Sequence, residues 1–184
     1  MIWEDLDKKL IHLQAEAGHA NDIFDQLGTC FINEGYSRSD YVEALKQREA
    51  QFPTGLDING FGVAIPHTDA GYVLHETEGI MTLKHPVTFI QMGSDDTQVE
   101  VKVVFMLAIE DPKNHIKKLQ QILRIIQDNA VLEKIYQASS ADEVIDIVKQ
   151  KEIEIDTQVG VKPKKYFMHV YLRHLIESST FLVF

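Results

Sequence analysis

Two of the eight histidines stand where a histidine side chain could act on a ligand. His67 follows an apolar run at residues 62–66 that predicts a short buried strand, and ligands commonly bind at strand ends in α/β sheets. His115 begins a predicted helix, where backbone N–H groups favour an anion and keep the imidazole neutral, so that it can donate an N–H to a phosphoryl oxygen. The alternatives are a turn histidine that only ends a strand and a solvated histidine in a first helical turn.

Arg48 is the third candidate, at the end of a predicted helix shortly before Pro53. A guanidinium group is well shaped to hold phosphate oxygens, although an exposed arginine in a last helical turn is ordinarily a solvated cation. The single cysteine, Cys30, lies on the apolar face of another predicted helix and is interpreted as core packing. The remaining histidines lack the spacing of metal ligands, so we predict no metal and no cofactor. These six are His12, His19, His75, His85, His169 and His174.

The elements that position these residues alternate between helical and strand periodicity. Helical spacing is found at residues 23–31, 41–45, 116–126, 131–135 and 144–148. Strand patterns are found near residues 11–13 and at 61–65, 79–83 and 99–109. The expected helix caps are Ser39, Asp128 or Asn129, and Ser140. The order of elements predicts an α/β fold with a mixed β-sheet, central strand 99–109, and helices on both faces.

Composition excludes several classes of function. The chain of 184 residues carries 18 Lys and Arg against 28 Asp and Glu, a net charge of −10 that argues against nucleic-acid binding. No run approaches the roughly 18 apolar residues of a membrane span, so direct membrane insertion is not expected. The single cysteine and the absence of a signal-peptide pattern favour a cytoplasmic location.

Three local patterns occur in order: RE at 48–49 followed by FPTGL at 52–56, then GVAIPH at 62–67, then the helix that begins at His115. Together they resemble the IIA component of the bacterial phosphoenolpyruvate-dependent sugar phosphotransferase system, in its fructose/mannitol superfamily. FPTGL and the segment KHPVTFIQMG at 84–93 most resemble the galactitol-type IIA proteins. The resemblance covers roughly residues 1–150 and implies the mannitol/fructose-type IIA fold.

The resemblance implies a role for each candidate residue. His67 would be the phosphorylated nucleophile, taking the phosphoryl group from the phosphocarrier protein HPr and passing it to a cysteine of the partner IIB. His115 would support the phosphoryl group, and Arg48 would counter its charge. Transfer of this kind needs positioning and charge stabilisation more than covalent help, and these donors supply both without a metal. Galactitol or a similar hexitol is the implied sugar.

Two other functions stay open at this stage. A regulatory member of the same fold would act by binding another protein according to its phosphorylation state, and a metal-dependent hydrolase would use several of the histidines. The predicted domains are a IIA phosphotransfer domain at residues 1–150 and, at 151–184, a linker with an apolar C-terminal extension. Of the last 19 residues, 12 are apolar. The extension is interpreted as an added helix, a dimer contact or a non-native addition.

Overall fold

The computed structural model describes residues 1–157, with side chains for 1–111 and 116–157. The strands are β1 (Leu6–Ala15), β2 (Gly55–Ile58), β3 (Phe61–Ala64), β4 (Thr77–Ile90) and β5 (Gln98–Ala108). The helices are α1 (Ile2–Asp5), α2 (Ala20–Ile23), α3 (Thr29–Asn33), α4 (Tyr41–Gln51), α5 (Pro112–Ile126), α6 (Asn129–Gln137) and α7 (Ala141–Thr157). A π-helical segment, Phe24–Gly28, joins α2 to α3, and Ala70–Tyr72 forms a 3-10 turn.

The strands form one mixed sheet in the order β1-β4-β5-β3-β2, which confirms the predicted sheet type. β1 runs parallel to β4 and β3 runs parallel to β5, whereas the β4–β5 and β2–β3 pairs are antiparallel. β5 is central, as its apolar run predicts, because its side chains alternate between two buried layers. Val103, Phe105 and Leu107 enter one layer, and Val104 and Met106 enter the other.

Helices cover both faces of the sheet, as predicted. One apolar layer contains side chains of α5, α6 and α7, and the other contains those of α2, the π-helical segment, α3 and α4. Between residues 1 and 157 no helix is long and apolar enough to cross a membrane. The predicted division of the chain at residue 150 falls within α7 and stays a prediction. The predicted extension lies outside the described residues from 158 onward.

Two local predictions are wrong in detail, and one helix cap is confirmed. Strand β4 continues well past the predicted residues 79–83, because a register irregularity between Thr82 and Val87 accommodates Pro86, which has no N–H to donate. The helix expected to start at Ser39 begins after Asp40 instead. Asp128 caps α6 as expected, accepting a hydrogen bond from the Ala130 N–H at 3.0 Å.

The first and last described helices are joined by one buried carboxylate. Glu152 on α7 accepts hydrogen bonds from the backbone N–H groups of Ile2, at 2.9 Å, and Trp3, at 3.0 Å. These N–H groups belong to the first turn of α1 and have no acceptor within that helix. A side chain 150 positions away in sequence therefore satisfies the first helical turn.

A second buried carboxylate ties α5 to the sheet. Lys118 contacts Asp5, Glu76 at 3.1 Å and Glu78 at 3.0 Å. The second carboxylate oxygen of Glu78 has no hydrogen-bond partner among the described residues. Burial raises the pKa of Glu78 from 4.5 to about 7; Lys118 lowers it in part, and the neighbouring Asp5 and Glu76 raise it further.

This shift predicts a pH dependence of stability. Between pH 4.5 and 7 the unfolded chain has an ionised Glu78 while the folded protein still binds the proton, so stability falls as pH rises. Glu78→Gln removes this titration. The unfolding free energy of the unsubstituted protein minus that of the variant should fall by about 3 kcal/mol across this window and level off above it.

Urea unfolding at half-unit pH intervals from 4.5 to 8 measures the difference. Glu133→Gln is the control, since Glu133 is an exposed carboxylate on α6. Parallel pH profiles for the unsubstituted protein and Glu78→Gln would contradict an elevated pKa at Glu78.

Candidate active site

His67 lies at the edge of the sheet where β3 ends. Its backbone forms a bridge with Leu107 of β5, and the Leu107 N–H donates to the Pro66 carbonyl at 3.0 Å. The side chain of His67 is buried, with 7% of the residue exposed. The predicted position at the end of a buried strand is therefore confirmed, and an isolated parallel bridge to β5 fixes the backbone on which the imidazole is carried.

A hydrogen bond defines the proton position on the His67 ring. Nδ1 lies 2.8 Å from the carbonyl oxygen of Ile65, two residues earlier. A carbonyl can only accept, so Nδ1 carries the hydrogen and, in the neutral ring, Nε2 carries the lone pair. Nε2 is therefore the nucleophilic atom of this imidazole.

Arg48 reaches the loop that follows His67. It lies seven positions after the buried Tyr41 on α4, which places it on the inward face of the helix. Its side chain is 15% exposed, its Nη1 is 3.5 Å from an Asp69 carboxylate oxygen, and its guanidinium carbon is 4.6 Å from the centre of the Phe52 ring. Its buried Nε has no acceptor among the described residues. The guanidinium is not the solvated cation that an arginine in a last helical turn ordinarily is.

The residue after Arg48 supports the backbone beside the site. Glu49 accepts hydrogen bonds from the Thr54 N–H at 2.9 Å and the Thr54 hydroxyl at 2.7 Å. The Thr54 carbonyl in turn accepts from the Ile65 N–H at 3.2 Å. Burial raises the pKa of the Glu49 carboxyl to about 7, against the two hydrogen bonds from Thr54, which lower it.

His115 is placed by its backbone alone. It is the fourth residue of α5, in the first turn, as predicted. Because β3 and β5 run parallel, their carboxyl ends meet at one edge of the sheet, and α5 begins four residues after β5 ends there. The fold thus brings the start of α5 to the edge that carries His67.

The other described histidines lie elsewhere. His12 lies 3.6 Å from the Cys30 sulfur, His19 pairs with Asp22 at 3.0 Å, and His75 and His85 are exposed. His169 and His174 fall outside the described residues. Cys30 is half-buried, and burial, followed by the charge of Glu34, raises the pKa of its thiol. Within residues 1–157, no three His, Cys, Asp or Glu side chains gather as a metal-binding group.

Comparison with known proteins shows which family this chain belongs to. Residues 4–151, most of the chain, match the family model described as "Phosphoenolpyruvate-dependent sugar phosphotransferase system, EIIA 2". The chain belongs to this family. The resemblance found in the sequence motifs is confirmed, and the protein is a component of a phosphotransferase system at the level that the family defines.

Individual relatives of this EIIA 2 protein agree. The galactitol-specific EIIA component of Escherichia coli K12 is 27% identical over 117 residues, covering 62% of this chain and 76% of that protein. The nitrogen regulatory protein IIA-Ntr of Neisseria meningitidis is 30% identical, with a TM-score of 0.66 over 80% of this chain and 98% of that one. The mannitol IIA enzyme of Escherichia coli, solved in complex with phosphorylated IIB, has a TM-score of 0.67 at 22% identity over 79% of this chain and 97% of that one. The mannitol-type fold is thereby confirmed.

Three residues near the site of this EIIA 2 protein are missing from the sequence prediction. Glu49 and Thr54 lie within the recognised motifs without an assigned role, and Asp69 follows His67 in a turn. A glutamate at the end of a helix is ordinarily exposed, so the helical pattern of the sequence does not predict that Glu49 is partly buried. The available clue is a Glu followed five residues later by a Thr across a proline turn.

The strand that presents His67 depends on a close backbone contact. A Cβ at Gly62 would overlap the backbone carbonyl of Glu100 on β5, which cannot move without opening the β3–β5 pair. Gly62→Ala should therefore lower the free energy of unfolding by about 3 kcal/mol, measured by urea unfolding. Gly71→Ala is the control, since nothing lies within 4 Å of a Cβ built there. Equal stability of the two variants would contradict this packing.

Proposed function

We propose that this protein is a cytoplasmic phosphotransfer intermediate that accepts a phosphoryl group on His67 from HPr and passes it to a cysteine of a IIB partner. The observation that carries the proposal is the hydrogen bond from Nδ1 of His67 to the Ile65 carbonyl. It presents Nε2 as the nucleophile at the end of a fixed strand. Membership of the EIIA 2 family supplies the context in which a nucleophilic histidine at this edge receives a phosphoryl group.

The chemical step uses the two ring nitrogens differently. Nε2 attacks phosphorus while the bond from phosphorus to the HPr donor atom breaks, and the electron pair of that bond returns to the donor. The ring gains positive charge as the P–N bond forms, and the Ile65 carbonyl stabilises the Nδ1–H that carries part of this charge. A IIB thiolate then attacks phosphorus, the P–N bond breaks, and its electron pair returns to Nε2.

Arg48 is suited to stabilise the transferred group. Its buried Nε has no acceptor among the described side chains, and one terminal nitrogen contacts only loosely, at 3.5 Å, an Asp69 carboxylate that is half exposed. A phosphoryl group binds a guanidinium group more strongly than this carboxylate does, because two of its oxygens can accept hydrogen bonds from the guanidinium at once. We therefore expect Arg48 to counter the charge on the phosphoryl group, since its contact with Asp69 places the guanidinium beside the loop that follows His67.

The surface near this edge suits protein partners. Leu74, in the loop before β4, and Ile116, next to His115, are 39% and 43% exposed, although both are large apolar residues. β4 begins at the edge where β5 ends, so both residues lie at the end of the sheet that carries His67. Apolar side chains in a polar surround are typical of docking centres.

Galactitol or a similar hexitol is the sugar that we propose. The support is the likeness to the galactitol-specific EIIA component of Escherichia coli, together with FPTGL at residues 52–56. A regulatory role is the second candidate, favoured by the 30% identity to the nitrogen regulatory IIA-Ntr protein of Neisseria meningitidis. Transfer of labelled phosphate from His67 to a IIB protein would support the transport role, and its absence would support regulation by binding.

The phosphorylation site is tested with labelled phosphoenolpyruvate, Enzyme I and HPr. His67→Asn should lose all labelling, because the Asn amide still donates toward the Ile65 carbonyl but provides no nucleophile. His75→Ala is the control, an exposed histidine that should leave labelling unchanged. Undiminished labelling of His67→Asn would overturn the proposed function.

His115 is tested in the second transfer. In His115→Ala we expect His67 to be labelled still, because the nucleophile is intact, and onward transfer to IIB to slow by about 100-fold, the loss typical of one stabilising donor. Rapid-quench measurement of label on IIB gives the rate, with Asn129→Ala on α6 as the control. Onward transfer at the unsubstituted rate would remove His115 from the site.

A further inference from the structure

We propose that Glu49 is a positioning residue that, acting through Thr54 and Ile65, holds the His67 imidazole in its Nδ1–H form with Nε2 presented for reaction. The proposal rests on the proposed role of His67 as phosphoryl acceptor. Glu49 touches neither the imidazole nor the transferred group. Its effect passes through two intervening residues, which is why it is a positioning residue and not a catalytic one.

The connection consists of three consecutive hydrogen-bonded links. The Glu49 carboxylate accepts from the Thr54 N–H and hydroxyl, at 2.9 and 2.7 Å. The Thr54 carbonyl accepts from the Ile65 N–H at 3.2 Å, and the Ile65 carbonyl accepts from Nδ1 of His67 at 2.8 Å. Each link begins on the residue where the previous one ends, so a shift of Thr54 moves the Ile65 carbonyl that defines the imidazole tautomer.

A carboxylate is the group that this arrangement requires. Thr54 is only 2% exposed, so an apolar residue in place of Glu49 would leave the buried N–H and hydroxyl of Thr54 without this acceptor. Holding Thr54 in this way removes water from the Glu49 carboxyl group, and this desolvation raises its pKa. A reactive side chain needs residues behind it that hold it in one position, and the hydrogen bonds of Glu49 to Thr54 can serve this purpose.

The position of Glu49 on α4 strengthens the proposal. It immediately follows Arg48, and the Phe52 N–H closes the helix on the Arg48 carbonyl at 2.7 Å. One helical turn therefore carries both the guanidinium that contacts the loop after His67 and the carboxylate that holds Thr54. Arg48 contacts Asp69, two residues after His67, and Glu49 is linked through Thr54 to Ile65, two residues before it.

The test reads the tautomer directly in unphosphorylated protein. With 15N-labelled histidine at a pH where the imidazole is neutral, the unsubstituted protein should show a protonated Nδ1 and an unprotonated Nε2 at His67. Glu49→Ala should shift both nitrogens toward the average of the two tautomers. Thr54→Val, which loses the hydroxyl but keeps the backbone N–H donor, and Glu49→Gln, which keeps one acceptor, should lie between. Glu43→Gln is the matched control, because Glu43 is an exposed carboxylate on the same helix that accepts a hydrogen bond from the Gln47 side chain.

Phosphorylation rates complete the experiment. We expect Glu49→Ala to accept phosphate from HPr about tenfold more slowly, with partial recovery in Glu49→Gln. Folded Glu49→Ala and Thr54→Val with His67 nitrogen shifts equal to the unsubstituted protein would overturn the proposal, and Thr54→Val decides it alone if Glu49→Ala does not fold. Shifted nitrogens in a protein that is never phosphorylated at His67 would instead refute the proposed function and leave the positioning role of Glu49 intact.

Discussion

The parallel pairing of β3 with β5 is the constraint on which the site depends. It sends two strands to the same edge of the sheet, where one continues into His67 and the other into α5. The Leu107 N–H extends the pairing to the Pro66 carbonyl, and the buried Tyr41 hydroxyl donates to the Leu107 carbonyl at 2.9 Å. The histidine that we propose meets two protein partners in turn is thus carried on backbone that is fixed from both sides.

Two cations, Lys118 and Arg48, differ in the carboxylates that surround them. Lys118 is held among three carboxylates on the layer that contains α5; burial opposes its charge, but these carboxylates raise its pKa overall. Among the described side chains, Arg48 pairs with one carboxylate, that of Asp69, which is half exposed. The two half-buried cations therefore differ: Lys118 is surrounded by carboxylates and fixes α5, whereas Arg48 has the donor capacity that the proposed phosphoryl group would use.

The sheet and the helix ends could be predicted from the sequence where the local residue pattern agrees with the burial of those residues. β5 is apolar on both faces because both are covered, and Asp128 caps α6 through a bond to Ala130 only two residues away. The predictions fail where an element depends on contacts with residues distant in sequence, or where a residue type that is usually exposed becomes buried. β2 has only four residues, and Glu49 is a charged residue that becomes partly buried through a turn that no periodicity reveals.

The carboxylate of Glu152 has a consequence for the order in which the chain acquires its structure. The first helical turn receives its missing acceptors from a residue 150 positions later, so a chain leaving the ribosome cannot complete that turn until α7 has been synthesised. Helix α1 is therefore among the last of the described elements to become stable, and folding of residues 1–157 is tied to the completion of α7.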